Sequence, residues 1–104
     1  MQTYSLPKSD GTKYAITGEA LTDVYCNDTT SPMPYSVIQL ASGEKVLYVN
    51  SVPVEHSNNS RAINTLYRNA QDFTAGELHN RIQTTNYHHS AFKALGIALE
   101  EVIA

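Results

Sequence analysis

Two runs rich in β-branched residues, separated by a short turn, constrain the fold of this chain most. Residues 35–41 and 45–52 flank the sequence Ser42-Gly43-Glu44. Runs of this length that contain Val, Ile and Tyr and are joined by a glycine-containing turn are typical of a β-hairpin. Apolar residues occupy both alternating positions of the second run, so we expect both of its faces to be buried. The sequence therefore predicts a hairpin in the interior of a sheet.

Three shorter segments before this hairpin also have strand character. They are residues 2–6, 13–17 and 21–26, and the first two are joined by the turn sequence Ser9-Asp10-Gly11. Residues 27–34 contain two prolines and are predicted to form a loop. Tyrosine occurs about once in each predicted strand, which indicates β-propensity. A tyrosine-lined face for ligand stacking is the alternative interpretation.

The second half of the chain has helical periodicity, beginning with residues 59–73. One helical stripe collects the apolar side chains of this segment, and Asn59 or Ser60 can cap its start. Those side chains belong to Ala62, Ile63, Leu66, Tyr67, Ala70 and Phe73. Thr74 and Glu77 fit a capping box, which predicts the start of a second, short helix.

A third helix is predicted near the end of the sequence. Ser90 is its expected cap, and apolar residues recur with helical spacing from Ala91 to Ile103. Gly96 would lie inside this helix, where glycine costs about 1 kcal/mol relative to alanine. Residues 83–89 lack apolar periodicity and are predicted to be irregular.

Strands followed by helices indicate an α+β fold. We expect a four- or five-stranded, mainly antiparallel sheet from the N-terminal half, followed by two or three helices packed on one face. No change in composition marks a boundary, so residues 1–104 are expected to form a single domain. Ser, Thr, Asn and Gln number 31, against 23 for Leu, Ile, Val and Phe. This balance predicts a modest core, and small domains of this kind often oligomerise, so we expect a homo-oligomer.

Several classes of protein are excluded by simple counts. One cysteine, Cys26, forms neither an internal disulfide nor a Cys₄ zinc site. The sequence has no apolar run of about 18 residues and no signal-peptide pattern, so we expect a cytoplasmic protein with no membrane contact. Glycine-rich phosphate-binding motifs are also absent.

The histidines are the first candidates for chemistry. A zinc-binding helix usually places two histidines about four residues apart, whereas His79 and His88 are nine apart. Adjacent histidines such as His88 and His89 point in different directions on most backbones. We therefore predict no metal and no cofactor.

Charge is distributed unevenly along the chain. Residues 61–93 hold four bases and two acids, a net charge of +2 in a chain of net charge −3. Arginine pairs well with phosphate, so this segment is a candidate surface for anions or nucleic acid. Its candidate binding residues are Arg61, Arg68, Arg81, Tyr67, Tyr87, His88 and His89. A solvated helix face is the simpler interpretation, and a helix-turn-helix over residues 77–93 is a further alternative.

No coherent catalytic set is apparent, so we expect a small non-enzymatic binding protein. It would occupy the surface of a partner protein or sequester a small anionic ligand, as do compact inhibitors from phages and mobile elements that block bacterial defence. A composition rich in Tyr, Asn and Ser suits adaptable recognition. The alternatives are a nucleic-acid or nucleotide-binding module that uses residues 61–93, and a small hydrolase that uses His88 or His89.

Overall fold

The computed structural model describes residues 1–8, 10–24, 34–50, 64–82 and 88–98. These residues form five strands, a short 3₁₀ helix and two α-helices. The elements are β1 (Gln2–Pro7), β2 (Lys13–Ala20), β3 (Tyr35–Leu40), β4 (Lys45–Asn50), β5 (Asn64–Tyr67), the 3₁₀ helix (Ala70–Asp72), α1 (Ala75–Arg81) and α2 (His88–Leu95). The strands form one antiparallel sheet in the order β1-β2-β3-β4-β5. The predicted α+β fold is confirmed.

The predicted interior hairpin is strands β3 and β4. Tyr35 pairs with Val49 and Gln39 with Lys45, and β5 covers the other edge of β4. Gly43 has φ +91°, a left-handed conformation that glycine adopts without a steric penalty. The chain can therefore reverse within the four residues between Leu40 and Lys45, and β4 is buried on both faces as its sequence predicts.

Two apolar cores lie on opposite faces of the sheet. Residues of β3, β4, the 3₁₀ helix, α1 with its C-cap, and α2 build the core on the helix side: Tyr35, Val37, Leu47, Val49, Ala70, Leu78, Ile82, Ala91, Phe92 and Leu95. The other face carries a smaller core: Leu6, Ile16, Ile38, Val46 and Tyr48. Because side chains alternate along a strand, neighbouring residues of β3 and β4 contribute to different cores.

Glycine permits a close approach between β2 and β3. The last part of β2 pairs with β3 from Gly18↔Leu40 to Ala20↔Ile38. A Cβ atom at Gly18 would overlap the Gln39 carbonyl oxygen. Glycine is thus required here by the distance between backbones.

The predicted helix over residues 59–73 is wrong. Residues 64–67 form β5, in which Leu66 pairs with Tyr48 and Tyr67 with Leu47. The 3₁₀ helix follows, beginning after Asn69 in a left-handed conformation. Pairing with β4 supplies hydrogen bonds to the β5 backbone and partly buries Leu66 and Tyr67 against opposite cores. These contacts outweigh the helical spacing of the apolar residues. Residues 51–63, which include the predicted caps Asn59 and Ser60, lie outside the described residues.

Two other predicted boundaries change. Residues 21–24 are not a strand, and β2 extends to Ala20 instead of ending at residue 17. Residues 25–33 are outside the described part. Helix α2 begins at His88 rather than after Ser90, and it ends at Leu95. Gly96 lies beyond the helix with φ +78°. The Gly96 N–H donates to Lys93 O, and the Ile97 N–H donates to Phe92 O. These two hydrogen bonds form the Schellman motif, which commonly ends a helix.

The predicted N-cap of α1 is confirmed. Thr74 Oγ1 accepts a hydrogen bond from the Glu77 N–H at 3.2 Å. The cap fixes where α1 begins, and it leaves Leu78 and Ile82 on the face that packs against the sheet.

Candidate functional site

A groove of about 940 Å³ lies between the helix side of the sheet and α2. Its lining residues come from the end of β2, from β3 and β4, and from α2: Ala20, Leu21, Thr22, Asp23, Tyr35, Gln39, Lys45, Ser90, Lys93 and Ala94. Ligand pockets commonly have volumes of about 300–1,000 Å³, so the groove is large enough for a small molecule.

Strand register explains why polar side chains line one part of this groove. Tyr35 and Val37 face the helix-side core, and Gln39 follows with the same orientation two residues later. Gln39 pairs directly with Lys45, so these two polar side chains lie side by side where the apolar surface of the sheet ends. The groove therefore begins at the polar end of the sheet face that α2 covers.

Helix α2 forms the opposite wall with one of its faces. Ser90, Lys93 and Ala94 have helical spacing and line the groove together. Phe92 and Leu95, on a different face, are buried in the helix-side core. Packing of α2 against β3 thus places Ser90 and Lys93 at the groove.

Among the described residues, three charged side chains line the groove: Lys45, Lys93 and Asp23. Within the described residues, neither lysine forms an ion pair. Both lysines are at least partly accessible to solvent. Two lysines against one aspartate give the described part of the lining an excess of basic residues, in contrast to the chain as a whole.

The loop after β2 is tied to the sheet at the groove wall. The Leu21 N–H donates to Val37 O at 2.9 Å, and the Thr22 hydroxyl accepts the Val37 N–H at 3.0 Å. Thr22 also donates its hydroxyl to Asp23 O at 3.0 Å. These contacts hold the loop that contains Asp23 beside Tyr35.

Arg68, a candidate from the sequence, lies outside the groove and is paired with an acid. Its Nε and Nη2 donate to the two carboxylate oxygens of Glu44 at 3.0 and 2.8 Å. The guanidinium also holds the pKa of the Glu44 carboxyl below its usual value, and the pKa of Arg68 is raised in return. The charge of Arg68 is therefore already matched within the chain.

Tyr67 and Arg81 lie together in a second cluster. The Arg81 guanidinium sits 4.7 Å from the centre of the Phe73 ring, which meets the Tyr67 ring edge to face. The Tyr67 hydroxyl donates to Arg81 O at 3.3 Å. These contacts attach the end of α1 to β5 and leave the Arg81 side chain exposed.

The three helical histidines converge. The ring centres of His79 and His88 are 6.0 Å apart, and those of His88 and His89 are 4.3 Å apart. Phe92 packs edge to face against His79 and His88. In the described ranges, however, no group of three or more His, Cys, Asp or Glu side chains is placed to hold a metal ion.

The remaining candidates, Arg61 and Tyr87, lie outside the described residues, as does Cys26. Sequence reasoning missed the groove residues Lys45 and Lys93, which are 48 positions apart in the chain. The available signal was the register of the predicted hairpin, which places Lys45 beside Gln39. Only the packing of α2 brings Lys93 to the same place.

The described helices include none that is long and apolar enough to cross a bilayer. The chain matches no protein-family model, no curated protein and no solved structure.

Proposed function

We propose that this chain is a non-enzymatic binding protein that holds a small anionic ligand in the groove between β3, β4 and α2. The observation behind the proposal is the pair Lys45 and Lys93, two lysines that line one groove without an ion-pair partner among the described residues. Charged donors that converge in a concave site attract anions and raise their local concentration.

The groove supplies neutral polar groups as well. The Ser90 hydroxyl and the Gln39 amide line it beside the lysines, and both can donate hydrogen bonds to anionic oxygens. Asp23 also lines the groove, and its carboxylate opposes an anion. Its position favours a ligand that keeps its negative charge near the lysines and offers a donor or a neutral part to the aspartate.

The alternative of a nucleic-acid surface has less support. Of the two arginines among the described residues, Arg68 is paired with Glu44, and only Arg81 lacks a carboxylate partner. A nucleic-acid interface usually neutralises several phosphates with separate cations. A pocket-bound anion therefore agrees better with the described contacts.

Isothermal titration calorimetry with inorganic pyrophosphate in a buffer free of other polyanions tests the proposal. We expect saturable binding by the wild-type chain and a loss of at least about tenfold in Lys93→Gln, because a charge-assisted hydrogen bond contributes about 1.5–3 kcal/mol. Lys13→Gln is the matched control, since Lys13 is an exposed residue of β2 outside the groove lining. Equal binding by Lys93→Gln and the wild type, or no binding by either at millimolar concentration, would contradict the proposal.

A further inference from the structure

Lys45 lies between two contacts that fix the start of β4. On one side, the preceding residue Glu44 accepts hydrogen bonds from Arg68 and from the Asn69 N–H, the latter at 3.1 Å. On the other side, the Lys45 N–H donates to Oε1 of Gln71 at 3.0 Å. The segment from Arg68 to Gln71 follows β5. Hydrogen bonds from this one segment therefore restrain two adjacent residues of the hairpin, Glu44 and Lys45.

Burial distinguishes this contact from an ordinary surface ion pair. The Glu44 side chain is 13% exposed, whereas that of Arg68 is 68% exposed. The Glu44 side chain is thus the more shielded partner, and the bidentate geometry fixes the orientation of the pair. A pair of this kind restrains the backbone more than a monodentate contact between two mobile side chains does.

The hairpin turn itself is also bonded internally. The Leu40 N–H donates to Glu44 O at 2.8 Å, and the Gly43 N–H donates to Leu40 O at 2.9 Å. The backbone of Lys45 is therefore set by β3, by its own turn and by the connection after β5. Lys45 is also the residue of this segment that lines the groove.

We propose that Arg68 and Gln71 are positioning residues for the anion site: through Glu44 and the Lys45 N–H, they fix where Lys45 presents its ammonium group. This inference rests on the proposed function. Neither Arg68 nor Gln71 lines the groove, so neither contacts the ligand. They act through the backbone of β4, and a site whose supporting contacts are loosened loses affinity although its own residues are unchanged.

The test is a double-mutant cycle on pyrophosphate affinity with Arg68→Gln, Glu44→Gln and the double variant. We expect each single variant to bind about threefold to tenfold more weakly and the double variant to bind no worse than either single one, because both changes break the same contact. Arg68→Lys should recover part of the affinity, since lysine keeps the charge without the bidentate geometry. Thermal melts of every variant separate this effect from unfolding.

Gln71→Ala provides a second route to the same conclusion and is expected to weaken binding without changing any charge. If the wild type binds pyrophosphate and both Arg68→Gln and Gln71→Ala bind it with the same affinity, the positioning role is overturned. The proposed function would stay intact. Additive losses in the double variant would also overturn it, since the two residues would then act separately. No binding by the wild type would instead reject the proposed function itself.

Discussion

The Tyr48 hydroxyl donates a hydrogen bond to Pro7 O at 2.6 Å, although the two residues belong to strands that are not neighbours in the sheet. Tyr48 is on β4 and Pro7 on β1, with β2 and β3 between them. Neighbouring strands are about 4.8 Å apart, so a flat sheet would place this pair well beyond hydrogen-bond distance. The β1–β2 hairpin therefore folds over the smaller core.

Removing this hydroxyl tests the curvature directly. Tyr48→Phe should lower the free energy of unfolding by about 0.5–1.5 kcal/mol, since the bond joins distant parts of the sheet. Tyr4→Phe is the control, because the Tyr4 hydroxyl forms no hydrogen bond among the described residues. Urea denaturation measures both, and equal stability of the two variants would contradict the proposed importance of the Tyr48 contact.

The close approach at Gly18 gives a second prediction. Gly18→Ala would place a Cβ atom against the Gln39 carbonyl oxygen and 2.8 Å from Cγ2 of Ile38. We expect a loss of about 1–3 kcal/mol in unfolding free energy, because backbone must shift to make room. The matched control is Gly76→Ala in α1, where the nearest atom is Thr74 Oγ1 at 4.0 Å. If both substitutions have the same effect on the melting temperature, the steric explanation is wrong.

The N-cap of α1 gives a third prediction. Thr74→Ala removes the acceptor of the Glu77 N–H and should cost about 0.5–2 kcal/mol of stability. Thr74→Ser keeps the hydroxyl and should stay close to the wild type. Denaturant titration distinguishes the two variants, and a loss of equal size in both would show that the hydroxyl is not what stabilises α1.

The Glu44–Arg68 pair gives a pH dependence with a defined sign. Hydrogen bonds from Arg68 lower the pKa of Glu44 in the folded chain from its ordinary value of 4.5. The contribution of the pair to stability is therefore complete above about pH 4.5 and is lost as the pH falls through the lower, folded-state pKa. Arg68→Gln should reduce this acid-dependent loss in thermal melts from pH 7 to pH 3. An unchanged pH profile would contradict the assignment.

Local patterns predicted much of the fold, since the β3–β4 hairpin and the Thr74 cap depend on adjacent residues. They did not predict β5, because Leu66 and Tyr67 fit a helical stripe as well as the alternation of a strand. Pairing with β4 decides in favour of the strand. A pairing strand that is distant in sequence leaves no signal in the local pattern of residues.

The candidate site depended even more on long-range packing. The sequence pointed to Arg68 as a free cation, but Glu44, 24 residues earlier, matches its charge. Lys45 and Lys93 share no sequence motif. They line the same groove only because α2 packs against β3. Charge counts along a segment report composition, whereas a binding site depends on which charges remain unpaired after folding.

The most direct test of the anion site is a pyrophosphate titration of the ¹⁵N-labelled chain, followed by the amide chemical shifts of each residue. We predict saturable shifts that are largest at Lys45, Ser90 and Lys93, with little change at Lys13. Lys45→Gln and Lys93→Gln should each reduce the shifts throughout the groove. The absence of saturable shifts, or a maximum elsewhere on the sheet or helices, would contradict the account.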